Sequence, residues 1–287
     1  MIEARSAPPQ MMTDEIFKLL RDFIYETSGI FFADDKKSQL ENRLLLRLKA
    51  HNLNEFDKYY YLLKYDPDSG GELRALFDSV TTNETSFFRN PTQIQALQEQ
   101  VLPETLAKKQ MAGESRLRLW SAGCSTGDEP YTLAIVVTEV LKESIPSWEV
   151  KIVASDISEK ALRSAGAAQY NEYTLRLVPQ TIKEQYFTPN GDGLYTVSDD
   201  IRSLVEPGYL NFADARRVEL MRGFDIIFCR NVLIYFDDDL RRRFVSQLYD
   251  NLNPGGYLFI GHAESLHNIS SAFKLVHFPG ALAYKKD

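Results

Sequence analysis

The sequence predicts an α/β fold: a mostly parallel sheet with helices on both faces, an antiparallel terminal hairpin, a small β insert and a preceding all-α domain. Three observations carry this. Residues 13 to about 80 show only helical apolar spacing, whereas from 116 onward apolar runs of strand length alternate with helical segments. The chain then closes on two short β-prone runs around Pro279-Gly280.

In the first domain, assigned to residues 1–80, Asp14 to Thr27 places apolar residues at 16, 17, 19, 20, 23 and 24, and Gly29 follows where the helix should stop. A second helix, Ala33 to Ala50, opens on Asp34 and Asp35 and carries leucines at 40, 44, 45, 46 and 48. At about 100° per residue, Lys36, Arg43 and Arg47 fall within about 40° of one another, turned from most of those leucines. Such a stripe is either a solvated face or a docking surface for an acidic partner. A tyrosine-rich helix from about 54 to 65, a DPDSGG turn and a helix from about 72 to 80 complete the domain.

TTNETSFFRNP, residues 81–91, reads as an irregular linker to a second domain, 92–287. Phe87 and Phe88 can pin it to a core while Asn83 and Thr85 satisfy turn backbone; alternatively, Arg89 supplies a fixed fork for a carboxylate. A helix from Pro91 to about Lys109 leads into RLRLWSAGCSTGDEPYTLAIVVTE, residues 116–139, a strand, a turn bearing Gly123 and Gly127, and a helix with Pro130 at its start. Small residues let a ligand approach the backbone, and the open N–H groups of a helix start favour polar groups there. The loop is G-x-x-x-G without lysine, so it matches neither the dinucleotide fingerprint nor a P-loop. Asp128 and Glu129 would repel a pyrophosphate. They suit a ligand with ammonium, sulfonium or ribose hydroxyl groups, and S-adenosylmethionine (AdoMet) carries all three.

The pattern repeats with the strand Val150 to Ala154, which ends at Asp156. An acid there is placed to hold ribose hydroxyls, or to cap the helix Ser158 to Ala168. From about 185 to 210 the character changes to an antiparallel insert, with its turn at Asn190 to Gly193, and Asn211-Phe212 closes a short strand after it. FDIIFCRN, residues 224–231, is a strong strand. VLIYF and a helix follow, in which Asp237/Arg241, Asp238/Arg242 and Asp239/Arg243 are acid-before-base i,i+4 pairs, so the triple arginine is self-neutralised surface. NPGG at 253–256 stops that helix, GYLFIGH is a strand, and FKLVHF with ALAYKK forms the last hairpin. Ligands bind such sheets at strand carboxyl ends, where Gly123, Asp156, Asn231 and His262 are expected.

Composition is that of a soluble globular chain, 44% apolar and 25% charged, with no run long enough for a membrane span and no signal-peptide core in MIEARSAPPQ; the cytoplasm is the expected location. A net charge of −7 argues against nucleic-acid binding. Cys124 and Cys229 need no disulfide in a reducing compartment, and four scattered histidines give no metal site.

TTNETSFFR at 81–89, WSAGCSTGDEPY at 120–131, ASDI at 154–157, FCRNVLIYF at 228–236 and GHAES at 261–265 together resemble the CheR-type chemoreceptor methyltransferases. That resemblance covers the chain from about residue 13 to its end. It implies a Rossmann-like AdoMet-dependent methyltransferase domain, release of S-adenosylhomocysteine, no metal, and glutamate side chains of chemoreceptors as acceptors. It also implies roles: Asn83, Thr85 and Arg89 line the site with Arg89 on the methionine carboxylate, and Glu129 holds the amino end. Asp156 would hold the ribose and Asn211-Phe212 the adenine, with Gly123, Asn231 and Val232 completing the site and Tyr235 beside Arg89 positioning the reactants. The helical domain is then the contact for receptor cytoplasmic helices, through Lys36, Arg43 and Arg47, and recruits a monomeric enzyme to membrane receptor arrays. The insert could dock a receptor tail peptide, although its NGDG turn is shorter than in the enteric form of the family.

Overall fold

A computed structural model describes residues 11–287; the first ten, including the stretch read for a missing signal peptide, lie outside the described residues. Helix α1 (Asp14–Ser28) begins where the Thr13 hydroxyl accepts the Ile16 N–H at 3.3 Å and ends at Gly29, whose φ of 74° glycine alone adopts freely. After a 3-10 turn come α2 (Lys37–Ala50), α3 (Phe56–Tyr65) and α4 (Gly70–Val80). Leu20, Ile24, Leu40, Leu44 and Leu48, the helical-period positions, are fully buried in the core of this unit.

Helices α5 (Pro91–Ala96) and α6 (Leu102–Met111), joined through a π turn, lead into the second domain. Its main sheet contains β1 (Arg116–Ala122), β2 (Glu149–Asp156), β6 (Val205–Tyr209), β7 (Phe224–Cys229), β8 (Leu252–Ile260), β9 (Lys274–Phe278) and β10 (Ala281–Lys285), in the order β6-β2-β1-β7-β8-β10-β9. The strands from β6 to β8 are parallel, and β10 runs antiparallel to both neighbours. Helices α7 (Asp128–Leu141), α8 (Glu159–Ala167), α9 (Gln180–Tyr186), α10 (Asp199–Arg202), α11 (Ala215–Glu219) and α12 (Asp238–Asn251) intervene. The pleat sorts alternate residues into two cores. Leu117, Leu119, Ile226, Phe228, Tyr257 and Phe259 pack with α5 to α7, whereas Trp120, Ala122, Ile227, Cys229, Leu258 and Ile260 pack with α12. Both cysteines are buried and free.

Three sequence readings change. The insert is a three-stranded sheet, β3 (Gln169–Asn171) and β4 (Phe187–Pro189) flanking β5 (Leu194–Val197), while the last residues assigned to it, Val205–Tyr209, form β6 of the main sheet, parallel to β2. As an edge strand with only Val205 buried and Pro207 inside it, β6 carries no apolar alternation to betray it. NPGG lies within β8, beside a register shift opposite Phe224 to Ile226, and α12 already ends at Asn251. In α12 the ion pairs form at i,i+3, Arg241 on Asp238 at 3.0 Å and Arg242 on Asp239 at 4.0 Å. The carboxylate of Asp237 is spent as the cap: it accepts Leu240 N–H at 2.9 Å and the Tyr25 hydroxyl at 2.7 Å.

Helices α1 and α4 seal the helical domain onto the carboxyl edge of the sheet. Asp78 accepts the Ser158 hydroxyl at 2.7 Å and the Lys160 N–H at 3.1 Å, capping α8 from the other domain, and Arg74 pairs with Glu159 at 2.7 Å. Phe31 N–H donates to the Tyr235 carbonyl at 2.8 Å. This joint creates the cleft described next.

Candidate functional site

At the carboxyl ends of β1 and β7, the turns that leave the sheet share one property: each places residues in the left-handed region, Gly123, Ser125 and Gly127 after β1 and Asn231 after β7. Gly123 has φ 80°, and a Cβ there would stand 2.3 Å from Val232 Cγ2, so the position is closed to any side chain. The Gly123 and Cys124 N–H groups both donate to the Ser155 carbonyl, at 2.8 and 3.0 Å, which ties the β1 turn to β2. Asn231, at φ 60°, is pinned by Glu264, whose Oε2 accepts the Asn231 N–H at 2.9 Å and the Gly261 N–H at 2.6 Å. That gives GHAES a physical role: its glutamate holds the turn after β7.

These turns, the 81–89 linker and the α1 end enclose a cleft of about 260 Å3. Asn83, Thr85, Arg89, Gly123 and Glu129 line it, as do Asp156, Phe212, Asn231, Val232 and Tyr235. Of the residues expected there, Asn211 is the exception. Its side chain donates to the Thr27 carbonyl at 2.7 Å and accepts Ala213 N–H at 2.9 Å, so it ties the domains together instead of facing the cleft. Phe212, one residue on, points the other way. His262 lies in a separate cleft under the last hairpin.

The charges in the cleft are paired but not exhausted. Glu129, largely buried, accepts the Ser121 hydroxyl at 2.7 Å and faces Arg230 Nη1 at 3.4 Å. Burial pushes its carboxyl above the ordinary range, with Arg230, Ser121 and Arg89 opposing. Asp156 is raised by burial too, although its oxygens accept N–H groups of Ser158 at 2.9 Å and Ser125 at 2.8 Å. Asp128 stands outside the cleft, wholly buried against the Thr126 hydroxyl at 2.6 Å, and burial lifts it to about 6. Arg89 donates to the Glu84 carbonyl at 3.0 Å and keeps further donors toward the cleft. Among the described residues, the Tyr235 hydroxyl has no protein hydrogen-bond partner.

Sequence reasoning missed Arg230. Its side chain is 3% exposed, pairs with Glu129 and donates from Nη2 to the Arg89 carbonyl at 2.8 Å, so it fixes both the acid and the linker that brings the cation. A charge at the end of the apolar run FDIIFC was the available signal, since a buried guanidinium must have partners.

The stripe on α2 is also redistributed. Arg47 is held by the buried Glu72, Nε to Oε1 at 2.8 Å, with Tyr59 on the same oxygen at 2.6 Å and His51 at 2.7 Å from the other. Burial opposes ionisation of Glu72, but Arg47, Tyr59 and His51 together keep its carboxyl below the ordinary range. Arg43 donates to the Val80 carbonyl and, at 2.6 Å, to the Thr82 hydroxyl, with its charge within reach of Tyr235 at the cleft rim. Only Lys36 remains an exposed cation, loosely paired with Asp35 at 3.3 Å. Three free cations therefore do not form a stripe, because α4 packs its acid and its last carbonyls against that face.

The charges of such a cleft complement a ligand bearing a carboxylate, a cationic group and hydroxyls, and Phe212, Tyr235 and Phe236 stand among its walls. Among the described residues no cluster of three or more potential metal ligands occurs, and no helix is long and apolar enough to cross a membrane. Comparison with protein families matches residues 15–81 to the CheR methyltransferase all-alpha domain and residues 83–281 to the CheR methyltransferase SAM binding domain. The chain is 37% identical over 276 residues to chemotaxis protein methyltransferase 2 of Vibrio cholerae, covering 96% of this chain and 94% of that one. It is 35% identical to the chemotaxis protein methyltransferase of Salmonella typhimurium, over 92% and 88% of the two chains. Among solved structures, the N-methyltransferase NodS of Bradyrhizobium japonicum aligns over 73% of this chain and 92% of its own at 14% identity and a TM-score of 0.38.

Proposed function

Because the chain belongs to the CheR methyltransferase family, with the all-alpha and SAM-binding domains in succession, we propose that it esterifies glutamate side chains of chemoreceptors with the methyl group of AdoMet. The observation that carries this reading is the cleft itself: a linker cation, Arg89, and two buried acids, Glu129 and Asp156, line one cavity whose rim holds an untied tyrosine hydroxyl. Those charges complement the methionine carboxylate, its ammonium and the ribose hydroxyls, with Phe212 beside the adenine. Asn83 and Thr85 add polar contacts from the linker.

AdoMet supplies a methyl carbon already activated by its sulfonium. A glutamate acceptor, with pKa about 4.3, is all but about 0.2% ionised at pH 7, so the protein has no proton to remove. Its work is placement. The acceptor oxygen has to come within about 3 to 3.5 Å of the methyl carbon, in line with the sulfur, and shed its water. In this reading the Tyr235 hydroxyl, free of protein partners, donates to the incoming carboxylate at the rim, while Arg89 holds the methionine end. Receptor cytoplasmic helices dock on the helical domain near Lys36, Arg43 lies at the rim beside Tyr235, and a receptor tail peptide has the three-stranded insert as its surface. The enzyme acts as a cytoplasmic monomer at membrane receptor arrays.

Incubation with receptor cytoplasmic fragments and methyl-labelled AdoMet should give protein-bound label that alkali releases as methanol. Alkali-stable label, or none, would sink the glutamate reading. Tyr235→Phe should retain S-adenosylhomocysteine binding and lower turnover at least tenfold; unchanged turnover removes Tyr235 from the mechanism.

A further inference from the structure

The Gly123–Gly127 turn and the linker that carries Arg89 are both braced by one side chain of the β insert. Tyr170, in β3 and 5% exposed, donates its hydroxyl to the Thr126 carbonyl at 2.7 Å. That carbonyl lies outside the ladder of α7, which begins one residue later, where the Gly127 carbonyl accepts the Tyr131 N–H at 3.1 Å. Gly127, at φ 96°, leaves no slack in this contact: a Cβ there would stand 2.6 Å from the Tyr170 oxygen and 2.9 Å from Ala165 Cβ. Burial pushes the Tyr170 phenol well above its usual value, so it stays a donor at neutral pH. One residue before Thr126, the Ser125 N–H donates to Asp156 Oδ2 at 2.8 Å. The Tyr170 ring meets that of Phe87 nearly perpendicularly, with centroids 4.7 Å apart, and Phe87 packs in turn on Phe187 of β4 at 5.1 Å. Phe87 is fully buried, two residues before Arg89.

We propose that Tyr170 is a positioning residue of the cofactor site: its hydroxyl fixes the turn that sets Ser125 on Asp156, and its ring fixes the linker that presents Arg89. The inference rests on reading the cleft as the AdoMet site. Tyr170 is not one of the cleft walls and acts through the Thr126 carbonyl and Phe87. The β insert thereby belongs to the frame that shapes the cleft, besides offering a surface to a peptide. Without the hydroxyl, the Thr126 carbonyl loses its donor in a half-buried turn, a loss that folded chains do not leave uncompensated. In the free protein the turn relieves that loss by shifting toward water, and a bound cofactor has to draw it back. Part of the cost of losing the hydroxyl therefore falls on cofactor binding.

Calorimetric titration of the full chain with S-adenosylhomocysteine tests this on the wild type, on Tyr170→Phe and on Tyr173→Phe, whose side chain is 72% exposed on the turn after β3. Tyr170→Phe keeps the ring against Phe87 and removes only the hydroxyl, so it should fold and bind about fivefold more weakly or worse. Tyr173→Phe should bind as the wild type does; equal losses in the two variants overturn the assignment to Tyr170. In the labelled-methyl assay Tyr170→Phe should raise KM for AdoMet by the same factor, while KM for receptor fragments stays at its wild-type value. Hydrogen exchange of the 123–127 stretch should be faster in free Tyr170→Phe than in the free wild type, with wild-type protection restored by saturating S-adenosylhomocysteine. A role confined to fold stability would lower the melting temperature of Tyr170→Phe and leave its S-adenosylhomocysteine affinity unmoved, and that result overturns the proposal. Absence of binding to the wild type removes the cofactor reading and this inference with it. Wild-type binding with an unchanged Tyr170→Phe removes this inference alone.

Discussion

Arg230→Met keeps most of the side-chain volume and removes the charge. In the folded chain it takes the ion pair from Glu129 at 3.4 Å and the donor from the Arg89 carbonyl at 2.8 Å. With that side chain only 3% exposed and that of Glu129 14% exposed, water can replace little of what is lost. Removing one partner of a buried pair costs about 3–5 kcal/mol. For domains of this size about 2–4 °C follows each kcal/mol, so the melting temperature should fall by roughly 6–20 °C. The loss should also depend on pH in a defined direction. Glu129 already titrates above its ordinary value because burial outweighs Arg230, Ser121 and Arg89. A carboxyl raised in the fold gives stability that is fully present below its unfolded value, about 4.3, and is lost as pH rises through the folded value. Without Arg230 the folded value rises further, so the variant's deficit is largest at alkaline pH and narrows on acidification. Arg230→Met/Glu129→Gln, which removes the stranded charge, should recover much of the lost stability. Melting curves of the parent, both single variants and the double variant from pH 5 to 8.5 decide the matter. A single variant within about 2 °C of the parent at pH 8, or a deficit that ignores pH, would refute the assignment of Arg230 as the partner that keeps Glu129 charged.

Asp128 is raised by burial from 3.8 to about 6, so ionising it in the fold costs up to about 3 kcal/mol, absent below pH 4 and fully felt above pH 6. Asp128→Asn should therefore melt higher than the parent at pH 7.5 and no higher at pH 4; an equal gain at both values speaks against the buried charge. Gly123→Ala sets a methyl 2.3 Å from Val232 at a positive φ, and calorimetry should find S-adenosylhomocysteine affinity at least tenfold weaker; retained affinity would show that the floor can yield. Lys36→Glu should raise KM for receptor fragments without moving the melting temperature, whereas Arg47→Glu should cost about 3 kcal/mol of stability by stranding Glu72. If Arg47→Glu leaves the melting curve unmoved, the Glu72 network is not what holds α2 to α4.

What the sequence made legible follows from what a residue pattern encodes. Strands buried on both faces read as apolar runs, so β7 and β8 stood out, and the pleat then divided them between two cores as alternation requires. The edge strand β6 buries one residue of five and therefore had no such run. A helical wheel locates Arg43 and Arg47 relative to their own helix but is blind to the neighbour that packs on them, and α4 arrives with Glu72 and the Val80 carbonyl. Motif matching found the cleft residues, but in the turn after β6 the Asn211 side chain is spent on the Thr27 carbonyl and the Ala213 N–H, and only Phe212 of the pair lines the cleft. It also found Glu264 without a role, because that role exists only once the chain has folded back on the Asn231 turn. Arg230 shows the remaining gap most plainly. A buried cation in a strand end announces that an acid must lie near it, but not which one, and the cleft holds more than one buried carboxylate. The pairing with Glu129 depends on β7 lying next to β1, with α7 starting just beyond it, so the chemistry of the site is a consequence of strand order rather than of either segment alone.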